Sequence, residues 1–287
     1  MTAPVLVCPF QEELLARLSG RTLVITIDDV RDIPRVLEKA RLHSIRVHCL
    51  DVRTRLPLTS LTVSEEWRGA PLALHVSELG RFREVVRQLA LLKQLNIRIY
   101  LPLSAPAGSA GIRILSSLGV STAVDFGDAK PDWDQAGDLL AYALFGLRPH
   151  APIEPFQFLI SQYDQHQETD FGAVYFDEPA KYPHVNSDGR IALGRREMAK
   201  GLFFAESIDE ADSLLSEAAE RKKHERREKF FLMNDGCAYC QGWRVCLGTF
   251  AHTRNGANGC ARFFSEVMDS IERFRSLRER KTELWQP

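Results

Sequence analysis

The sequence predicts an α/β protein whose strands run parallel, as in a partial or open βα barrel. Three observations carry this expectation. Aliphatic and β-branched runs alternate with stretches of helical apolar period across residues 20–160. The links between them are short, which favours parallel strands joined by right-handed crossovers. About five or six such units can be counted, too few for a closed eight-stranded barrel.

Taken in order, Thr22–Ile27 (TLVITI) is a β-branched run that reads as a strand. Val30, Ile33, Val36, Leu37 and Ala40 then repeat at helical spacing. Ile45–Val52 reads as a second strand, residues 53–70 as an irregular connection, and Leu72–Val76 as a third strand. Phe82, Val85, Val86, Leu89, Leu92 and Leu95 fall on one helix face. Ile97–Leu103 is strand-like, and Ile112, Leu115 and Leu118 mark a helix ended by Gly119. Thr122–Phe126 is a strand, Trp133–Phe145 a helix, and Pro155–Ile160 a further strand. Residues 161–182 look like a polar bridge.

Beyond the bridge the character changes. Asn186-Ser-Asp-Gly189 is a turn, followed by a short extended stretch at Arg190–Leu193. Ser207-Ile-Asp-Glu210 is a capping box that starts a helix at Ile208. The mixed charges later in that helix read as a solvated face. Met233–Asn258 is rich in glycine and cysteine, and Phe263, Phe264, Val267, Met268, Ile271 and Phe274 mark a closing amphipathic helix. The expected division is residues 1–165 as the barrel-like part and 166–287 as a cysteine-bearing domain.

Composition narrows the function classes. Of 287 residues, 45% are apolar and 26% charged, and the formal net charge is -1. No global field draws such a chain to nucleic acid or to anionic lipid. The N-terminal segment lacks a basic signal-peptide region, and the best apolar run, Leu139–Leu147, is too short for a membrane span. A cytoplasmic location is the resulting expectation.

Six cysteines are present, and four of them, Cys237, Cys240, Cys246 and Cys260, follow the pattern C-x2-C-x5-C-x13-C. Clustered thiols in a reducing compartment more often hold a metal than form disulfides. Four thiolates suit tetrahedral zinc or a cubane cluster. Zinc ribbons usually pair two C-x2-C knuckles, so the spacing favours iron–sulfur over zinc while leaving zinc open. The loop GCAYCQGWRVCLGTF offers backbone N–H groups for cluster sulfurs. Tyr239, Trp243 and Phe250 are the candidates for shielding the site from water.

The C-x2-C-x5-C run with its later cysteine, together with the upstream segment HVNSDGRIALGRREMAKGLFFAESIDEADSLL, resembles the SPASM extension of radical S-adenosylmethionine enzymes. The resemblance is close over residues 184–265 and loose over 20–160, where the alternation is similar to that family's partial barrel. It implies one [4Fe-4S] cluster on Cys237, Cys240, Cys246 and Cys260, the ligand set of the family's second auxiliary cluster. Two departures qualify it. Phe250 and Gly194 stand where the family places ligands of a first auxiliary cluster, so that cluster should be absent. The catalytic C-x3-C-x2-C expected after the first strand is also missing: DDVRDIPRVLEKARL follows TLVITI and contains no cysteine. The chain therefore looks like a degenerate member, without S-adenosylmethionine catalysis of its own.

Other candidates read more simply. Asp28, Asp29 and Asp51 lie at the carboxyl ends of predicted strands, where barrel sites sit. Helix capping is the commoner role, and Asp29 or Asp32 fits it. His48 and His75 read as satisfied strand residues and Cys8 and Cys49 as inert thiols, while His252, a conceivable ligand, reads with four cysteines available as a residue supporting the cysteine site or a plain loop residue. No catalytic acid, base or nucleophile stands out. The resemblance implies an accessory iron–sulfur protein partnering a radical S-adenosylmethionine enzyme or its ribosomal peptide substrate, through electron relay or docking. The rivals are a metal-stabilised scaffold or peptide-binding subunit with no redox role, and an independent enzyme using the barrel mouth.

Overall fold

The computed structural model of the chain describes residues 4–105, 107–127, 131–233, 237, 239–250 and 257–283. In chain order the strands are β1 (Leu6–Pro9), β2 (Thr22–Ile27), β3 (Arg46–Arg53), β4 (Leu72–His75), β5 (Ile97–Pro102), β6 (Ser121–Asp125), β7 (Ile153–Glu154), β8 (His184–Val185) and β9 (Ile191–Ala192). The helices are α1 (Glu12–Arg17), α2 (Ile33–Leu42), α3 (Phe82–Gln94), α4 (Gly108–Ser117), α5 (Trp133–Phe145), α6 (Phe156–Gln162), α7 (Arg195–Ala199), α8 (Ile208–Met233), α9 (Trp243–Cys246) and α10 (Ala257–Glu283). The fold is α/β with mostly parallel strands, as expected. By contact density the chain forms two compact units, Met1–Tyr100 with Gly172–Arg227, and Leu101–Phe171 with Glu228–Pro287.

In the first unit the strand order is β5-β4-β3-β2-β1-β8-β9. Strands β1 to β5 are parallel neighbours in chain order, and β8 adds in parallel on the far side of β1. The central strand β2 buries Leu23, Val24, Ile25 and Ile27, so both of its faces are covered. The β2–β3 pairing shifts register between Leu23 and Val24, which leaves His48 as the extra residue of a bulge. Turn Asn186–Gly189 closes the β8–β9 hairpin. There Asn186 Oδ1 accepts from the backbone N–H of Asp188 and Arg190, and Gly189 takes a positive φ of 90°. Helix α8 begins at Ile208, with Ser207 Oγ accepting from Glu210 N at 3.3 Å and Glu210 reaching back to Glu206 N at 2.8 Å. Its early face, Ala211, Leu215, Ala218 and Ala219, packs on Leu193 and Phe204.

The second unit holds the parallel pair β6–β7 with α4, α5, α6, α9 and α10. Its core is aromatic. Phe250 lies 5.0 Å from Trp133 and 5.3 Å from Phe126, and it stacks on Phe264 at 5.7 Å and Phe171 at 5.9 Å. Edge-to-face and offset pairs of this kind add to the burial of the rings themselves.

Three expectations change. A strand precedes TLVITI, namely β1, and no cysteine follows it within Phe10–Arg21. Pro155–Ile160 is not a strand: β7 stops at Glu154, whose carboxylate accepts from Phe158 N at 2.8 Å and starts α6. On α3 only Val85 and Leu92 are fully buried, while Phe82 and Val86 of the same apolar face are exposed.

Candidate functional site

The cysteine loop is built by local backbone hydrogen bonds. Cys240 N donates to Cys237 O at 3.1 Å, which folds the C-x2-C segment back on itself. Trp243 N then donates to Cys240 O at 3.1 Å and Cys246 N to Gly242 O at 2.9 Å, making the short turn of α9. After Cys246 the chain reverses through two left-handed residues, Leu247 (φ 45°) and Gly248 (φ 76°). A non-glycine residue in that region costs roughly 1–2 kcal/mol, and such strain concentrates at sites that need a particular geometry. Here the reversal aims the backbone N–H groups of Phe250 and Gly248 at the Cys246 sulfur.

The thiols sense one another. Burial pushes the Cys246 thiol up to about 12, and the neighbouring Cys260 and Cys240 push it the same way. Burial likewise raises Cys260, with Cys240 adding to it. Cys246 is buried, while Cys237, Cys240 and Cys260 are partly exposed. Among the described residues no group of three or more His, Cys, Asp or Glu side chains is arranged to hold a single metal ion. The thiolates of a cubane each take a different iron, so they stand further apart than four sharing one tetrahedral zinc. The donor chemistry fits such a group: four thiols in one segment, N–H donors on the most buried sulfur, and an aromatic core alongside.

Gly242 has a steric reason. A Cβ there would lie 2.5 Å from Phe264 Cβ and 3.5 Å from the Cys240 sulfur. Gly242→Ala should therefore destabilise the chain by about 1–3 kcal/mol and lower its metal content. Thermal denaturation and metal analysis check this, and unchanged values for both would refute the packing argument.

Of the expected shields, Trp243 and Phe250 are buried, but Tyr239 is 90% exposed and shields nothing. Phe250, at a ligand position of the resembling family, is the centre of the aromatic core. Gly194, the other such position, has extended backbone, and a Cβ there would meet Glu197 Oε2 at 2.8 Å and Asp177 Oδ1 at 3.1 Å. His252 lies outside the described residues.

The first unit carries a polar centre around Asp51, a strand-end candidate whose partners the sequence did not announce. Asp51 is fully buried in β3. Its Oδ2 accepts from Arg53 Nε at 2.8 Å and lies 3.7 Å from Arg195 Nη2. His75 Nε2 approaches Oδ1 at 3.0 Å, off the line of a good hydrogen bond, and its ring stacks on Tyr100 at 4.2 Å. Burial alone would raise the Asp51 carboxyl. His75 and the charges of Arg53 and Arg195 outweigh it and hold the group below the usual carboxylate range. Asp29 is a cap, accepting from Arg31 N at 2.9 Å. Cys8 and Cys49 are buried thiols, both pushed up to about 12 chiefly by burial, and neither is poised as a nucleophile.

Fold and site together define an α/β protein with a candidate thiolate metal centre. No protein-family model, no curated protein and no solved structure matches the chain. Among the described residues no helix is long and apolar enough to cross a membrane.

Proposed function

We propose that this chain is an accessory iron–sulfur protein that serves a radical S-adenosylmethionine enzyme acting on a peptide or protein. Cys237, Cys240, Cys246 and Cys260 would hold one [4Fe-4S] cluster. The observation that carries the reading is the environment of Cys246: a buried sulfur with two backbone N–H donors and two neighbouring thiols. Such donors lower the charge density on a ligating sulfur and help set a cluster's potential.

The fold supports the reading more loosely. Parallel strands that neighbour one another in chain order, β1 to β5 in the first unit and β6 with β7 in the second, suit a partial barrel resembling the radical enzyme core. The cysteine-bearing segment would correspond to a SPASM-like domain. No cysteine triplet follows β1 or β2, so catalysis with S-adenosylmethionine is assigned to the partner. A bound cluster supplies one-electron transfer. The chain's own residues would hold it through four sulfurs, and the burial of Cys246 limits water at that sulfur. Partner docking by the barrel-like part is the second contribution. The rival reading is a scaffold in which the metal only pins the loop.

Anaerobic purification with iron, sulfide and zinc analysis, followed by electron paramagnetic resonance, tests the proposal. About four irons per chain and a reversibly reducible signal are expected for a cubane. One zinc without iron overturns the relay. An iron cluster that never cycles leaves the scaffold reading in its place.

A further inference from the structure

The first unit contains an open cavity of about 480 Å³ at the carboxyl ends of β1, β2 and β3, flanked by β8, the turn after it and α7. That size lies within the range of small-molecule pockets, and the carboxyl end of a parallel sheet is where ligands bind. Its walls are of two kinds. Val7, Val185, Met198 and Ala199 supply an apolar side, and Arg53 and Arg195 supply two guanidinium groups. Among the described residues no carboxylate lines it.

The arginines are held by acids that do not face the cavity. Asp51, fully buried, takes Arg53 Nε at 2.8 Å and lies 3.7 Å from Arg195 Nη2. Asp177 accepts the Arg195 backbone N–H at 2.8 Å and faces His184 at 3.4 Å. His184 Nε2 itself lies 2.9 Å from Phe176 O, within hydrogen-bond distance. Both guanidinium groups line the cavity, while Asp51 and Asp177, the carboxylates beside them, do not. The arginine side chains are 30% and 38% exposed, so they are accessible while their geometry is fixed. Guanidinium is the group best shaped for a carboxylate.

We propose that this cavity binds the carboxylate of a small amphipathic acid, with Arg53 and Arg195 on the carboxylate and the hydrocarbon against Val7, Val185, Met198 and Ala199. Guanidinium groups beside an apolar wall suit a carboxylate with a hydrocarbon tail better than inorganic phosphate, which has nothing to place against that wall. The source is either a free acid or the C-terminus of a peptide, which share this chemistry. The site does not depend on the cysteine loop, so it stands or falls separately from the iron–sulfur reading.

Calorimetric titration of the full chain with hexanoate, its neutral isostere hexanamide, inorganic phosphate, and a leucine-rich tripeptide as free acid and as C-terminal amide tests the assignment. Hexanoate or the tripeptide acid should bind, and each should bind at least about tenfold more tightly than its amide, as loss of a charge-assisted hydrogen bond implies. Tighter binding of the tripeptide acid assigns the ligand to a chain terminus, and tighter binding of hexanoate to a free acid. Arg195→Gln should weaken binding by a similar factor with the circular dichroism spectrum unchanged. Met198→Trp, which fills the apolar side, should weaken it without touching a charge. The proposal is overturned if amides bind as well as acids, if phosphate binds best, if both variants bind like the parent, or if no probe binds at tens of millimolar.

Discussion

With Cys246 in the proposed ligand set, its replacement by alanine should lower the iron content from about four atoms per chain toward none, as loss of one cubane ligand from a shielded position implies. Cys246 is the buried member of the four and the one whose sulfur receives the Phe250 and Gly248 N–H groups. Removing it discards the anchor that the strained Leu247–Gly248 reversal serves. Cys49→Ala is the matched control, because that thiol is equally buried but lies in β3, in the other unit. The same geometry gives a pH dependence. Burial and the neighbouring thiols raise Cys246, so without metal the sulfur is protonated at neutral pH, and a metal must displace the proton. Metal uptake should therefore strengthen as pH rises and weaken as it falls. Iron analysis of parent and variant, and metal-loading curves at several pH values, read both effects. Full iron in Cys246→Ala would remove this residue from the ligand set.

Part of this arrangement could be read from the chain and part could not. TLVITI announced β2 because a β-branched run fits a strand buried on both faces. Ser207 and Glu210 announced the start of α8, since capping is local chemistry. Strand β1 escaped notice: four residues carry no usable period, and only its pairing with β2 and β8 makes it a strand. Pro155–Ile160 looked extended because its apolar run is short. The carboxylate of Glu154, one residue ahead of it, decides for a helix. The four cysteines were legible as a set, yet the N–H donors on Cys246 follow from a backbone reversal that no residue pattern signals. The pairing of Asp51, itself marked by its place at a strand end, is the clearest case of what stays hidden. Its partners His75 and Arg195 come from β4 and from the residues after β9, and nothing local marks residues so far apart as one charged centre.

That centre makes the second large prediction. Asp51→Ala should destabilise the first unit by about 3–5 kcal/mol, the usual penalty for removing one partner of a buried ion pair. The loss comes less from the attraction than from what remains, an Arg53 guanidinium and a His75 ring turned toward a site that no longer answers them. Asp51→Asn should cost less, because an amide oxygen can still accept from Arg53. The two variants also separate charge from shape through their response to acid. The carboxyl is more acidic in the folded chain than in the unfolded chain, where it titrates near roughly 3.9. Its contribution is therefore complete above that value and drains away as pH falls below it, since protons then bind the unfolded form first. Urea unfolding between neutral pH and about pH 3 should show the parent losing stability faster than Asp51→Asn, the gap between the two curves beginning to narrow below about pH 4. Parallel curves would mean that the carboxyl is no more acidic in the folded chain than in the unfolded one, the hydrogen bonds and charges around it doing no more than offset its burial.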